Sequence, residues 1–301
     1  MSFEPHFERG RRLSELSTFG IGGKARFFIE VKTIEQVQEL RLYLSHHPLP
    51  YWVLGRGSNV LFDDRGFDGL VILNKIDFIK NNDHCFEVGT GYNFSLLGNQ
   101  TARQGFAGLE FASGIPGSVG GAIYMNAGAN GTETCDFLTI ISYVDREGNL
   151  VETAVDRQAF GYRSSPFQQM DVILVAATFA LKKDQSAREK QLAIVRYRLK
   201  TQPYSEKSAG CIFRNPDTMS AGMLIDRAGL KGKRIGEAEI SMQHANFIIN
   251  RGKATAQDIL ALARYVQSEV EDKTGYKLEL ELQRVPYRVS PGSANDFSRI
   301  D

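Results

Sequence analysis

The 301-residue chain holds only three cysteines, five histidines and one tryptophan, and it has no apolar run of the length that crosses a bilayer. Cys85, Cys135 and Cys211 are too few and too widely spaced for a disulfide framework or a CxxC metal site, so each alone reads as a small buried hydrophobe. The histidines are scattered and form no HExxH, so no metal site is expected. An excess of either charge is missing as well: 36 basic against 35 acidic residues leaves +1. That balance provides no field to draw a nucleic acid or an anionic membrane, and points to a small-molecule partner. MSFEPHFERGRR carries charges where a secretory signal would carry its apolar stretch, so the expected location is cytoplasmic. Also missing are a GxGxxG that opens a helix with an acid about 20 positions on, and any GxxxxGK[ST]. Rossmann and P-loop nucleotide sites are therefore disfavoured.

What is present is enough apolar residue, 42%, to build a sizeable core divided over two or three domains. Thr33 and Gln36 form a capping pair ahead of Ile34, Val37, Leu40 and Leu44 on one helical face, and Pro48 and Pro50 end that helix. YWVL (51–54) and GLVIL (69–73) read as short buried strands. Between about 84 and 182, CFEVGTG, GAIYMNAG, LTIISYVD and VILVAATFAL read as strands, with one helix near 94–104, which makes the class α+β. Ser186 with Glu189 and Thr255 with Asp258 look like capping boxes. The first would open a helix burying Leu192, Val195 and Leu199; the second, one burying Ile259, Leu262, Val266 and Val270 before Gly275. GCIFR and ANFIIN are candidate strands of a third region. The residues after Pro286 lack periodicity and are expected to be poorly ordered.

The densest signal is glycine. GRGSNVLF (55–62) and GLEFASGIPGSVGGAIYMNAGANG (108–131) repeat small residues faster than core packing requires. Either stretch alone would pass as tight turns. Together they imply backbone approaching a ligand closely, with N–H groups converging on phosphate oxygens and Ser58 and Asn59 adding side-chain donors.

Seven blocks then resemble one family in order and spacing: STFGIGGKARFF (17–28), LGRGSNVLF (54–62), the 108–131 glycine block, YRSSPF (162–167), SAGCIFRNP (208–216), AGMLIDRAGLKGKRIGEAEISMQHANFIIN (221–250) and LELEL (278–282). The chain resembles the UDP-N-acetylenolpyruvoylglucosamine reductases from about 12 to 286. The resemblance implies a vanillyl-alcohol-oxidase-type FAD-binding fold of two subdomains, 1–74 and 75–200, and a C-terminal α+β substrate-binding domain, 201–286, before a tail at 287–301. It implies noncovalent FAD, since neither glycine block offers an obvious His for covalent attachment, with NADPH as reductant and a UDP-sugar enolpyruvyl ether as substrate.

By the same resemblance Gly55, Gly57, Ser58 and Asn59 meet the FAD pyrophosphate, and Ile115, Pro116, Gly117, Ser118, Gly120 and Gly121 line the cofactor. Hydride delivery to the β carbon leaves a carbanion or enolate that needs a charge stabiliser and a proton donor. Arg163 matches the stabilising arginine, and Glu281 the glutamate that orients or protonates the intermediate. Cys211 stands where the family usually has serine, and a thiol with an ordinary pKa near 8.5 is the better acid. Without the motif, Cys211 reads as core, Arg163 as a surface residue, and Glu279 and Glu281 as the solvated face of a strand. Arg198 and Lys200, with Arg214 and Asn215, are the expected substrate contacts, although bases at a helix end also suit its dipole. His244, Asn246 and Asn250 are structural or substrate contacts. No long insert fits between about 216 and 254, so any lid comes from elsewhere. Two other readings share the fold: a noncovalent FAD sugar or alcohol oxidase, which would lack SAGCIF and LELEL, and an inactive nucleotide-sugar-binding relative.

Overall fold

Thr33 is extended and its hydroxyl accepts the Gln36 N–H at 3.2 Å, while the Gln36 side chain takes the Lys32 N–H at 2.7 Å. This reciprocal cap starts helix α1 (Ile34–His46) in a computed structural model that describes residues 5–288. Val37, Leu40 and Leu44 are buried on the face anticipated. They pack against Leu70 and Ile72 of a first sheet and against Val144, Ile173 and Val175 of a second, so α1 cements two units together.

The first sheet is parallel: Gly66–Asn74 lies between Lys24–Val31 and Tyr51–Leu54. The second is antiparallel, ordered Leu150–Ala154, Leu138–Val144, Ile173–Ala180, Cys85–Gly89, Ile79–Asn82. Helices α2 (Phe94–Arg103) and α3 (Val119–Tyr124) cover it, sharing a core with Phe86, Leu109, Ile141 and Phe179. After α4 (Ala187–Thr201), a third unit forms from α5 (Ala221–Arg227), α6 (Ala256–Thr274) and a small antiparallel sheet of Arg234–Ile235, Ala238–Ile240 and Ile248–Asn250. Helix α6 has the Thr255–Asp258 capping box and ends at Gly275 with φ +75°. The fold class is α+β, as expected.

Several local readings need correction. GAIYMNAG is helical at its start, not a strand: the Ser118 side chain accepts the Gly121 N–H at 3.2 Å and opens α3, while Val119, Ala122 and Ile123 turn into the core. Ser186 caps nothing, because its hydroxyl donates to Asp184 at 2.6 Å. Helix α4 buries Ala187, Gln191 and Arg198, and leaves Leu199 61% exposed. GCIFR is joined by single bridges rather than by regular ladders, to ANFIIN through Cys211 and Phe247 and to LELEL through Phe213 and Leu280.

The chain returns to its beginning. Gln283–Val285 pairs in parallel with Val60–Phe62, and Asp64 Oδ1 accepts the Ala256 N–H at the start of α6 at 2.8 Å. Of the tail expected from 287, Tyr287 accepts the Asp68 N–H at 2.7 Å and Arg288 donates to Asp68 at 3.0 Å; residues 289–301 lie outside the described residues. No helix among the described residues is long and apolar enough to cross a membrane.

Arg41 is the largest side chain buried to this degree, 2% exposed. From α1 it donates to the Asp145 carbonyl at 2.9 Å, the Asp171 carbonyl at 3.0 Å and the Tyr51 hydroxyl at 2.6 Å, pinning the first unit to the second. Arg41→Leu leaves those acceptors without their donor and should lower unfolding stability by about 2–3 kcal/mol. Urea denaturation checks this, and a loss below about 0.5 kcal/mol would show the pin to be dispensable.

Candidate active site

The two glycine segments face each other. A Cβ on Gly55 would fall 2.1 Å from the Ser118 hydroxyl, and Gly57, at φ +63°, lies against the Leu16 carbonyl, where a Cβ would come within 2.0 Å. Those two are glycine because protein surrounds them. Gly117 and Gly121 are different: neither has positive φ, and a Cβ would meet only the Ser58 hydroxyl at 3.6 Å or the Ser118 hydroxyl at 3.4 Å. Their bare backbones border room that no residue fills. Nearby in the chain, the Ser113 hydroxyl is buried, at 1% exposure, with no hydrogen-bond partner among the described residues. An open backbone edge and a buried donor left over are what a bound cofactor would complete, so the residues fit the flavin that the resemblance implies. Ile115 and Pro116 lead into this edge, Gly120 rests on Thr90, and Asn59 reaches across to donate to the Glu281 carbonyl at 3.3 Å.

Glu281 ties the thiol segment to the arginine turn. Its N–H donates to the Ile212 carbonyl at 2.8 Å, beside Cys211, and its carboxylate accepts the Arg163 Nε–H at 2.7 Å across 118 residues of sequence. The paired side chains are 17% and 13% exposed. Burial raises the Glu281 carboxyl above the usual range, with Arg163 and Arg214 opposing. Burial also works against the charge on Arg163, but the Glu281 carboxylate more than offsets it and holds the guanidinium firmly charged. Glu279, two residues earlier, is exposed, so the solvated-face reading holds for it and fails for Glu281.

Arg163 sits in the left-handed region at φ +56°, uncommon for a long side chain. A tight turn forces it there, with Gly161 and Ser164 exchanging backbone bonds at 3.1 and 3.0 Å. Asn126 fixes that turn: buried, with φ +40°, it donates to the Gly161 carbonyl at 3.0 Å and to Glu133 at 2.7 Å. Asn126 was not singled out from sequence. An asparagine between glycine-rich turns is the one signal that could have marked it.

Cys211 is half-buried, and burial pushes its thiol up to about 12; the Glu281 carboxylate adds to this, while Arg163, Arg198 and an Asn246 hydrogen bond oppose it. Cys211, Arg163 and Glu281 are thus brought together. The thiol is a weaker acid than a free cysteine and remains protonated at neutral pH.

The expected substrate contacts separate. Arg198 turns inward, 8% exposed, to donate to the Phe111 carbonyl at 3.3 Å, whereas Lys200 faces solvent; two positions apart on a helix, they cannot share a face. Arg214 has a buried Nε without a hydrogen-bond partner among the described residues and acts on Glu281. Asn215 receives the Ala221 N–H at 3.0 Å, and its own N–H donates to the Tyr162 hydroxyl at 3.3 Å. Asn246 is structural, clamping the Phe213 backbone at 2.9 and 2.8 Å, and Asn250 likewise holds the Phe19 carbonyl at 2.9 Å. Burial lowers the pKa of His244, with Lys231 adding to the effect. Tyr204, also missed from sequence, donates to the Gly114 carbonyl at 2.6 Å from the segment that follows α4.

Comparison with known proteins comes to the same two regions. Residues 25–154 match the family described as FAD binding domain, and residues 202–285 match UDP-N-acetylenolpyruvoylglucosamine reductase, C-terminal domain. A UDP-N-acetylenolpyruvoylglucosamine reductase of Protochlamydia amoebophila is 55% identical over 293 residues, 97% of this chain and 98% of that protein. One from Chlamydia trachomatis serovar A is 47% identical over 280 residues, 92% of this chain and 95% of that protein. The crystal structure of the Thermus caldophilus reductase superposes with a TM-score of 0.80 at 38% identity, covering 93% of this chain and 99% of that one.

At pH 8 the raised pKa of Cys211 should slow its alkylation by iodoacetamide roughly 1000-fold relative to a free thiol. Mass spectrometry should find exposed Cys85 modified first. Equal rates at Cys85 and Cys211 would contradict the burial argument.

Proposed function

The chain belongs to the UDP-N-acetylenolpyruvoylglucosamine reductase family, and from that membership we propose how its own residues carry out the reaction. It is an FAD-dependent oxidoreductase that uses NADPH to reduce UDP-N-acetylenolpyruvoylglucosamine to UDP-N-acetylmuramate in peptidoglycan precursor synthesis. The single observation that carries the assignment of roles is the Arg163–Glu281 pair with the Cys211 thiol beside it.

FAD, when bound, supplies the two-electron carrier between NADPH and the enolpyruvyl β carbon. Gly55, Gly57, Ser58 and Asn59 on one side and Ile115 to Gly121 on the other would hold it noncovalently, backbone N–H groups meeting its phosphates. Arg163 binds the enolpyruvyl carboxylate and stabilises the negative charge that grows there as the β carbon is reduced. Its charge is secured beforehand by Glu281, so the guanidinium needs no reorganisation when the substrate arrives. Cys211 Sγ–H gives its proton to the α carbon, and water returns one to the thiolate. A thiol held near 12 suits this order of events, because the proton is still in place at neutral pH. Arg214 and Asn215 are the residues assigned to the substrate, and the Arg214 Nε, without a hydrogen-bond partner among the described residues, would support an anionic group there. Arg198 supports the cofactor side instead, through Phe111 and Gly114. Three free cysteines agree with a reducing cytoplasmic setting.

The purified protein should be yellow with FAD, bleach with NADPH and regain colour anaerobically when the enolpyruvyl substrate is added. Cys211→Ser should retain that recovery, while Cys211→Ala should slow it by at least about 100-fold in stopped-flow traces. Recovery only with oxygen would mark an oxidase, and an Ala variant that reoxidises at the parental rate would remove Cys211 from the mechanism.

A further inference from the structure

The two glycine segments are attached to different sheets, one following Tyr51–Leu54 of the first and the other running into α3 on the second, so something must fix the gap between them. Gly55 follows directly on Leu54, which pairs with Leu73 in the parallel ladder. The next residue along that partner strand is Asn74, 6% exposed. Its side chain accepts the Ile76 N–H at 3.0 Å and donates to the Thr90 hydroxyl at 2.8 Å and to the Leu174 carbonyl at 3.1 Å. Thr90, 1% exposed, passes its own hydroxyl proton to the same Leu174 carbonyl at 2.7 Å, and its N–H reaches the Val175 carbonyl at 3.1 Å. The first sheet is thereby bonded to the central strand of the second through a closed three-group contact.

The other glycine segment hangs from the residues that begin at Thr90. Gly120 donates to the Thr90 carbonyl at 2.8 Å, Val119 to the Tyr92 carbonyl at 2.9 Å, and Phe94 to the Gly117 carbonyl at 3.0 Å. A Cβ on Gly120 would lie 3.0 Å from the Thr90 Cβ, so the two backbones are already in contact and Gly120 cannot shift toward the strut. Neither Asn74 nor Thr90 belongs to the glycine segments, and nothing in the proposed reaction uses either side chain. A buried threonine hydroxyl bonded on both sides could instead be a core valine, at no loss of volume, if packing were its only task.

We infer that Asn74 and Thr90 are positioning residues for the cofactor: their hydrogen bond sets the separation between the Gly55–Asn59 loop and the Gly117–Gly121 segment, and hence the fit of FAD between them. The inference rests on the family reading that FAD binds there. Removing the Thr90 hydroxyl leaves each segment intact and uncouples their spacing.

The test is FAD affinity of apoprotein, measured by quenching of flavin fluorescence, for the parent, Thr90→Val, Thr90→Ser and Thr101→Val. Thr101 is also fully buried and, among the described residues, its hydroxyl bonds within α2, to Leu97 and Gly98, so its variant matches the loss of a core hydroxyl without touching the strut. Thr90→Val should weaken FAD binding by about tenfold or more, with brighter residual flavin fluorescence, while Thr101→Val and Thr90→Ser stay within about threefold of the parent. Thr90→Val binding no more weakly than Thr101→Val overturns the inference. If Thr90→Val does not fold, Thr90→Ser decides: parental affinity supports the hydroxyl, and a tenfold loss overturns it. A parent protein that binds no FAD at all would sink the family reading instead, whatever the variants do.

Discussion

An ion pair between Arg163 and Glu281 joins the second unit of this protein to the third, and the rest of the site is arranged around it. Neither side chain could be left alone in that position. Burial raises the Glu281 carboxyl and opposes the Arg163 charge, so each ion is tolerated because the other is 2.7 Å away. Such a pair gives little net stability, since desolvation consumes most of the Coulomb attraction; an apolar pair of the same shape would serve the fold as well. The left-handed backbone at Arg163 costs about 1 kcal/mol more. Two local costs in one residue, held by Asn126 and Glu133 beneath it, place the reason for this arrangement in chemistry and not in folding.

The pair also explains why the chain doubles back. Glu281 reaches the junction because the strand after it, Gln283–Val285, returns to the first unit beside Val60–Phe62, directly behind the Gly55–Asn59 loop. Its own backbone bonds to Asn59 on one side and Ile212 on the other. The Gly55–Asn59 loop, the thiol segment and the arginine turn therefore meet at one short stretch of chain. The interior carboxylate that steadies Arg163 also helps keep the Cys211 proton on sulfur.

What could be read from sequence follows the range of the interactions. Caps four residues long were legible: Thr33 with Gln36, and Thr255 with Asp258. Glycine density marked two stretches where backbone is approached closely, because a missing Cβ is a local property, but at Gly55 and Gly57 the neighbours are protein, Ser118 and the Leu16 carbonyl. Reading α3 as a strand failed because Gly120 and Gly121 hide a helical period that Ser118 initiates. The inward face of α4 was misread because Gln191 and Arg198, rather than Leu199, find their partners inside. Arg41, Asn74 and Thr90 bond to carbonyls 84 to 130 residues away, and no local pattern announces such a partner. The motif resemblance named Arg163, Cys211 and Glu281 together; only the fold shows that the arginine and the glutamate are bound to each other.

The dependence of Arg163 on Glu281 is tested most directly by a double-mutant cycle on kcat/KM for the enolpyruvyl substrate, using Arg163→Gln, Glu281→Gln and the two combined. If Glu281 acts by holding the arginine, the combined variant loses no more than the worse single variant. Losses that multiply would show two independent contributions, and would contradict the account in which the pair is one device.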